Sequence, residues 1–545
     1  MEILTSQALW ENYSPTEEQL DVNVFKSTEK DGLVTKQLYF TGRTVDANAK
    51  TRVFATVCYK NTRSVKQAVL LIGDYKKPVN VKDVEELAKQ GFVAMAIDFA
   101  GRCGKGMYTV YTDALDYCNA DVAPDMFYFT TSARETKLFE YALNCRRAIT
   151  YLFTEEKIKG VSVVTVGKGA YVGIIVMGVD KRLTNGAVLF GSLTRKFPES
   201  EEQEEVDTSD AEMLNRHLEY DIWRQAWTMG LAPQTYAMQA EIPIYVINSA
   251  NSARVDAVKA DKMVGRLNNR CRFLLLPNTF DYISDKYFDG LVRWIKGAQV
   301  PAQKALTASL DENGEYYIKV QTSSSINKVS VWYCTNVKKR AKFWRQAKVY
   351  RDGEYYAAKL DLYDKENEIM AFALFDREVA VSTPLFTDTV TVARPKIANK
   401  NIFSGTTQQR LIRLDSGGAH LNLPLEQQLT EGYLGIVGAQ GKAMGTFAIS
   451  DESICRNSSL TLGFDVCCNV KQQLTVTALC DFGGGNVEFK QSVDLVGDGK
   501  WQRVTVERDY FRRAEDGKQI SEGDVIDMII ISADSDIIVN NVFLV

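Results

Sequence analysis

The sequence predicts a multidomain protein in which an α/β sheet domain is followed by two all-β sandwiches. Three observations lead to this fold class. Short apolar strands alternate with amphipathic helices over residues 36–298, period-two strands begin after Pro301, and a longer set of such strands fills residues 395–545. The chain has 545 residues, which is enough for several domains, and its 45% hydrophobic and 25% charged composition is typical of globular proteins.

The α/β domain begins after a polar segment, residues 1–35, that is predicted as an N-terminal arm. Several of its strands are continuous apolar runs, as expected for parallel strands that are buried on both faces. The strands are predicted at 36–43, 51–59, 67–72, 92–98, 161–166, 186–191, 243–248 and 271–276. Helices are predicted between them at 80–91, 132–153 and 285–297. This alternation requires crossover connections.

An insertion interrupts the α/β pattern at about residues 194–240. It contains an acidic run, 199–212, and an aromatic-rich helix, 213–231, that carries His217. The helix is expected over the carboxyl ends of the strands, where ligands bind in open α/β sheets. We interpret the acidic run as a solvated surface and the helix as a packing element. His217 is expected to be a surface or packing residue rather than a relocated base, and it is one of the residues that could line a pocket.

The two C-terminal regions are predicted to consist of antiparallel strands. Residues 302–390 combine period-two strands with turns rich in Asn, Asp and Gly, which predicts a small sandwich. Residues 395–545 contain about eight predicted strands, as in a jelly roll. The strands of the two regions are predicted at 315–320, 328–334, 354–362 and 369–376, and at 410–414, 434–437, 459–466, 472–480, 486–492, 501–507, 525–532 and 537–544.

Composition and charge argue against several classes of function. A net charge of −4 gives no basic surface for nucleic acid. No apolar run approaches the ~20 residues that span a bilayer, and the N-terminal residues lack the features of a secretory signal. Ten scattered cysteines without a C-x-x-C pair predict buried thiols in a cytoplasmic protein. No metal or other cofactor is expected.

The stretch VSVVTVGKGAYVGIIVMG, residues 161–178, predicts a strand, a glycine turn and a helix. Together with ARETKLFEYALNCRRAITYL, from Ala133, and GVDKRLTNGAVLFG, from Gly178, it resembles the α/β-hydrolases, in particular acetyl xylan esterase-like and dipeptidyl-peptidase-like members. The resemblance covers about residues 36–298 and implies a Ser–Asp–His triad with its nucleophile on a G-x-S-x-G turn. Aligned on that turn, the apex is Gly169, which we expect to have a positive φ.

None of the triad positions that the resemblance implies holds the expected residue. Gly169 has no oxygen or sulfur with which to attack a carbonyl group. The acid position, after strand 243–248, holds Ser252, and the base position, after strand 271–276, holds Asp281.

The chain has only two histidines, and neither stands at the base position. His217 precedes the acid strand, and His420 lies in the predicted jelly roll. The sequence therefore predicts a catalytically inactive α/β-hydrolase-like protein, in which no imidazole is available to a nucleophile on the turn.

Four side chains at the turn and beside it are candidates for a residual pocket. Lys168 and Ala170 belong to the turn, and Tyr171 replaces the small residue that is usual two positions after the nucleophile. Asp74 lies in the loop that normally supplies the second oxyanion donor.

The glycine-rich loop DFAGRCGKGMY, residues 98–108, also borders the active site in related hydrolases. Its Arg102 could bind an anion, and its Cys103 could be an activated thiol close to cations. We favour the simpler interpretation, a flexible loop that needs glycine for its turns.

The two β regions resemble accessory domains of hydrolases. Residues 302–390 resemble an Ig-like domain, in which Trp332 and Trp344 are expected to pack in the core or against a neighbouring domain. The stretch 499–545 resembles the end of a galactose-binding-like, or carbohydrate-binding-module-like, jelly roll. Its expected ligand face consists of Phe482, Tyr510, Phe511 and Arg512.

The leading functional interpretation is an inactive α/β-hydrolase-like protein that binds a small molecule, a glycan or a protein partner. Two alternatives stay open. One is an active esterase or peptidase that uses non-standard residues, with acylated carbohydrate among its substrates. The other is a structural or assembly protein whose domains form interfaces, including those of a homo-oligomer. Neither nucleic acid nor a membrane is expected as a partner.

Overall fold

The computed structural model describes residues 2–545 except for 46–48, 62–66, 104–105, 129–131, 196–210, 268–269, 301–303, 312, 322–327, 398, 408–409, 416–417, 424–427, 456–460 and 522. Residues 211–220 are described by their backbone alone, so the side chain of His217 and most of the predicted acidic run lie outside the described residues.

The chain forms two compact units. The first contains Met1–Ile247, Lys262–Arg272 and Leu291–Gln299, and the second contains Asn248–Asp261, Phe273–Gly290 and Val300–Val545. The segments that follow the last two strands of the α/β region, where the resemblance implies the acid and the base, therefore belong to the same unit as the C-terminal β structure.

Within the described ranges, nine strands form a mixed sheet in the order β1-β2-β3-β5-β4-β6-β7-β8-β9. They are β1 Asn23–Lys30, β2 Leu33–Thr44, β3 Lys50–Lys60, β4 Gln67–Ile72, β5 Val93–Asp98, β6 Gly160–Val166, β7 Leu183–Leu189, β8 Ile244–Ser249 and β9 Cys271–Leu276. The pairs that connect β5, β4, β6, β7 and β8 are parallel, whereas those among β1, β2, β3 and β5 are antiparallel. The predicted α/β sheet with crossover connections is confirmed.

Helices connect most of these strands. They are α1 Ser6–Trp10, α2 Val81–Lys89, α3 Lys137–Thr154, α4 Gly169–Val179, α5 Ala211–Gly230, α6 Pro233–Gln239, α7 Ala257–Arg266 and α8 Asp285–Ile295. Side-chain caps define where α2 and α3 begin, because Asn80 accepts a hydrogen bond from the amide of Lys82 and Thr136 accepts one from the amide of Phe139.

Residues 1–35 do more than lead into the domain, since they contain α1 and β1. All eight residues of β1 are exposed, as on the edge of a sheet, and their polarity concealed the strand from the hydrophobic pattern. The buried guanidinium of Arg147 on α3 fixes this segment. It donates hydrogen bonds to the carbonyl oxygens of Pro15, Glu18 and Gln19 at 2.7, 2.8 and 3.0 Å.

The second unit is rich in antiparallel β sheet. Two small sheets have the orders β10-β11-β15-β14 and β13-β12-β16-β17, with β18 also paired to β16. Their strands are β10 Thr307–Leu310, β11 Tyr316–Gln321, β12 Lys328–Cys334, β13 Arg345–Gln346, β14 Lys348–Asp352, β15 Tyr355–Lys359, β16 Glu366–Asp376, β17 Val381–Ser382 and β18 Phe386–Thr391.

The remaining strands form a larger antiparallel system around one long strand, β28. They are β19 Asn401–Phe403, β20 Ile412–Arg413, β21 Gln428–Glu431, β22 Val437–Thr446, β23 Leu462–Cys467, β24 Gln472–Cys480, β25 Val487–Leu495, β26 Trp501–Val506, β27 Arg512–Arg513 and β28 Ile526–Leu544, with the short helix α9 Glu452–Cys455. Strand β28 pairs with β19, β22, β23 and β24.

Three of the strands predicted in this region differ from the structure. The strands predicted at 525–532 and 537–544 are the single strand β28, because its first half pairs with β24 and its second half with β23, so the chain stays extended through the polar sequence between them. The first half of the strand predicted at 434–437 lies in the tight turn Tyr433–Gly435, where Leu434 has φ +59°, and strand β22 begins only at Val437.

Candidate functional site

The strand–turn–helix predicted around residue 169 is formed by β6, a short turn and α4. Gly167 has φ +57°, Lys168 has φ −69° and ψ −17°, and the helix begins at Gly169. The left-handed conformation expected at Gly169 is therefore found at Gly167. The strand ends at Val166, so the chain must reverse at once, and Gly169 is already helical.

Gly169 lies against the loop that follows β4. A Cβ atom at this position would be 2.0 Å from the carbonyl oxygen of Gly73 and 3.0 Å from that of Ile72. Because both neighbours are backbone atoms, neither can move aside without displacing the chain. Gly169 therefore has a packing role, which is to let the start of α4 approach this loop.

The loop that follows β7 encloses the turn from another side. A Cβ atom on Gly191 would lie 2.4 Å from the Cβ of Ala170 and 2.6 Å from the carbonyl oxygen of Gly167. Ala170 is completely buried, whereas Lys168 is exposed. The turn is thus packed against the backbone of two loops that are distant from it in sequence.

The backbone amide at the start of α4 is hydrogen-bonded to a carboxylate of this chain. The N–H of Lys168 donates a hydrogen bond to Oδ1 of Asp74 at 2.9 Å, and Asp74 is only 9% exposed. Amides at a helix N-terminus attract anions. Here the anion is an internal side chain, so this donor is already satisfied.

Aromatic side chains pack next to the turn. The ring of Tyr171 meets that of Phe127 edge to face at 4.9 Å, and Trp227 of α5 lies 6.1 Å from Phe127. The guanidinium of Arg195 lies 4.1 Å above the same Phe127 ring. Burial raises the pKa of Tyr171, and Arg195 opposes this rise. Trp227 is fully buried, which is consistent with a packing role for the insertion helix.

The loop after β5 is organised by the buried carboxylate of Asp98. It accepts hydrogen bonds from the amides of Gly101 at 3.2 Å and Thr109 at 2.8 Å, and the thiol of Cys103 lies 3.4 Å away. Burial and the neighbouring Asp98 carboxylate raise the pKa of Cys103. The burial of the thiol beside a carboxylate argues against an activated thiol, because activation requires a lowered pKa.

Arg102 in the same loop does not offer a free cation. Its guanidinium is ion-paired with Asp116 at 2.6 Å and with Asp121 at 3.1 Å. Two carboxylates already compensate its charge, which argues against the alternative that Arg102 binds an anion.

The loop after β8, where the resemblance implies the acid, is bound to the middle β region within the second unit. The side-chain amide of Asn251 donates to the carbonyl oxygen of Lys342 at 2.7 Å and accepts from Nε1 of Trp344 at 3.2 Å. The hydroxyl oxygen of Ser252 accepts hydrogen bonds from the backbone amides of Arg254 and Val255, both at 3.2 Å. Both side chains are buried and serve local structure.

The loop after β9, where the resemblance implies the base, contacts the C-terminal β region. Nδ1 of His420 donates to the carbonyl oxygen of Asp281 at 2.8 Å, and the amide of Ile283 donates to the carbonyl oxygen of His420 at 2.9 Å. The carboxylate of Asp281 lies 3.6 Å from Nε of Arg254. The structure thus brings His420 beside the base position, which the sequence order did not predict.

Two of the four residues expected to form a ligand face on the jelly roll are buried. Phe482 is 4% exposed and packs with Phe280 and Phe447 at centroid distances of 6.4 and 5.2 Å. Phe511 belongs to the hydrophobic core. Tyr510, at 60% exposure, and Arg512 do lie at the surface. The four residues therefore do not form one exposed platform.

Metal clusters and membrane-spanning helices are both absent from the described part of the chain. No group of three or more His, Cys, Asp or Glu residues there is arranged to hold a metal ion. None of the described helices combines the length and apolar character needed to cross a bilayer. All ten cysteines are free thiols.

Comparisons with known proteins place esterases among the structural neighbours of about half the chain. An acetyl xylan esterase from Paenibacillus sp. R4 is 12% identical, with 54% of this chain and 92% of that chain covered and a TM-score of 0.38. Acetyl xylan esterase 1 from Thermoanaerobacterium sp. JW/SL YS485 is 13% identical, with 53% and 91% covered and a TM-score of 0.37. A cold-adapted esterase from an Arctic intertidal metagenomic library is 15% identical, with 50% and 96% covered and a TM-score of 0.32. No protein-family model and no curated protein matches the sequence.

Proposed function

We propose that this chain is an α/β-hydrolase-like pseudoenzyme that forms no acyl-enzyme and acts by binding. In this proposal the nucleophile position is Gly167, the left-handed residue of the turn, and the small residue two positions later is Gly169. A glycine at the apex has no atom that can attack a carbonyl group. This single feature carries the proposal.

The hydrogen bond between Asp74 and Lys168 supports the same interpretation. In a G-x-S-x-G turn, the amide that follows the nucleophile helps to stabilise the oxyanion of the tetrahedral intermediate. With Gly167 as the apex, this amide belongs to Lys168, and the Asp74 carboxylate accepts its hydrogen bond at 2.9 Å. A negatively charged side chain at this position opposes the formation of an oxyanion.

The loops after β8 and β9 support it as well. Asn251 and Asp281 contact residues of the β regions through their side chain or backbone. We propose that these regions are an Ig-like sandwich, 302–390, and a jelly roll, 395–545. The loops that would present an acid and a base in a hydrolase then serve to attach accessory domains.

One observation favours the alternative of an active hydrolase. His420 is a histidine next to the base position, held by its hydrogen bond to the Asp281 carbonyl oxygen at 2.8 Å. A base alone cannot start acyl transfer, since the apex glycine still lacks a nucleophilic atom.

Hydrolysis of p-nitrophenyl acetate tests the proposal. We expect the wild-type protein and the Gly167→Ser variant both to stay within about twofold of the uncatalysed rate. The wild-type turn has no nucleophilic atom, and in the variant the Lys168 amide that would stabilise an oxyanion already donates to Asp74. The His420→Ala variant serves as the control for residual base catalysis. Wild-type turnover at least about 100-fold above background, lost in His420→Ala, would contradict the proposal.

A further inference from the structure

The second unit contains a cleft of about 610 Å³ that the hydrolase resemblance does not explain. Its lining includes the segment from β9 to α8, the sheet of β12, β13 and β16, and the residues around β19. The volume is within the range of about 300–1,000 Å³ that is typical of small-molecule sites.

One face of the paired strands β12 and β16 lines the cleft. Lys328, Ser330 and Trp332 alternate along β12, so their side chains point to the same face. Lys328 pairs directly with Asp376, and Ser330 pairs with Leu374. Opposite residues of an antiparallel pair share a face, which makes this surface continuous.

Aromatic rings and amide groups lie side by side in the lining. The ring of Trp332 is partly exposed, and its Nε1 is held by the hydroxyl of Ser330 at 3.2 Å. Gln346 is its direct partner across β12 and β13, and Asn399 and Asn401 add two further exposed amides. An amide both donates and accepts hydrogen bonds, as a hydroxyl group does.

Ion pairs hold four of the charged side chains in the lining, which also includes the cations Lys328, which lies opposite Asp376 in the sheet, and Arg410. Asp376 is paired with Lys286 at 2.6 Å, Asp361 is paired with Lys396, and the buried Arg345 is paired with Asp451. Every carboxylate among the described lining residues is ion-paired, so a cation finds no open partner there, and the aromatic and amide groups suit a polar ligand.

From this combination we infer that the cleft binds a neutral carbohydrate, with Trp332 stacking on a sugar ring and Gln346, Asn399 and Asn401 hydrogen-bonding its hydroxyl groups. The C–H face of a sugar ring is apolar and packs on an aromatic ring, whereas its rim carries hydroxyl groups that bond to amides. The cleft contains both an aromatic ring and amide groups. This site is distinct from the turn at Gly167 and from the surface around Tyr510. It does not depend on whether the turn is catalytically active.

Isothermal titration calorimetry of the full chain with neutral hexasaccharides of glucose, xylose and mannose tests the inference, with hexagalacturonate as the anionic comparison. We expect saturable binding of at least one neutral hexasaccharide and weaker or no binding of hexagalacturonate. Trp332→Ala should weaken the affinity by about tenfold or more, and Gln346→Ala by about threefold to tenfold. Trp332→Phe, which keeps a ring, should retain part of the affinity.

The Tyr510→Ala variant is the matched control, because it removes an exposed aromatic ring from the face that the sequence predicted. We expect it to bind within about twofold of wild type. Thermal unfolding of each variant shows that the fold is retained, and the exposed Gln346 provides a variant that does not disturb the core. Failure of all three neutral sugars to bind, preference for hexagalacturonate, unchanged affinity in both Trp332→Ala and Gln346→Ala, or loss of binding in Tyr510→Ala would each overturn the inference.

Discussion

The Gly169→Ala substitution is expected to lower the free energy of unfolding by about 3 kcal/mol or more. A methyl group at this position would lie 2.0 Å from the carbonyl oxygen of Gly73, and only a shift of the backbone can relieve that contact. Chemical denaturation with urea, followed by circular dichroism, measures the loss.

Gly73, whose carbonyl oxygen is the other partner in this contact, provides the control. A Cβ atom on Gly73 would meet no atom within 4 Å, and its φ is not in the left-handed region, so Gly73→Ala should change the stability by less than about 1 kcal/mol. If Gly169→Ala lowered the free energy of unfolding by less than about 1 kcal/mol, the loop after β4 would not be in close contact with the start of α4.

The titration of Glu140 is expected to lower the free energy of unfolding by about 3 kcal/mol between pH 4.5 and pH 7. Glu140 is fully buried on α3, and burial raises the pKa of its carboxyl group from 4.5 to about 7, against the opposing effect of Arg43 at 2.6 Å. The folded state therefore holds a proton that the unfolded state has already released in this range. This contribution is fully present below pH 4.5 and is lost as the pH rises through about 7.

The Glu140→Gln variant isolates this effect. Urea denaturation at intervals from pH 4.5 to pH 8 should show a smaller pH dependence than wild type, by about 3 kcal/mol, because glutamine does not titrate. Glu135→Gln, on an exposed residue nearby, should leave the wild-type profile unchanged. If the two variants had the same profile, the buried carboxyl group would not be the source of the pH dependence.

Much of the α/β region could be predicted because its strands are buried on both faces. Strands such as Gln67–Ile72 and Val93–Asp98 are continuous apolar runs, and the sequence located them within a residue or two. The exposed edge strand Asn23–Lys30 has no such signal, since none of its residues is buried. The sequence predicts two strands in place of β28, because polar residues interrupt its apolar pattern. The strand is continuous since its two halves pair with different strands, and such pairing depends on the tertiary structure.

The candidate site was harder to predict than the fold. Gly167 and Gly169 both lie in the sequence TVGKGA, and only the backbone angles distinguish the left-handed residue from the first residue of the helix. One signal was present. With Gly167 as the apex, the small residue expected two positions later is Gly169 rather than Tyr171. The contacts of Asp74 with Lys168 and of His420 with Asp281 join loops that are far apart in the chain, and no local pattern encodes them.

The most direct test of the central claim is intact-mass spectrometry of the purified protein after incubation with a fluorophosphonate probe, with an active serine hydrolase as the positive control. This probe forms a covalent adduct with an activated serine, which the turn of this chain does not contain. We expect the mass of the protein to stay unchanged while the control is labelled stoichiometrically. A single stoichiometric adduct that maps to one residue, and that disappears together with esterase activity when this residue is replaced by alanine, would contradict the claim.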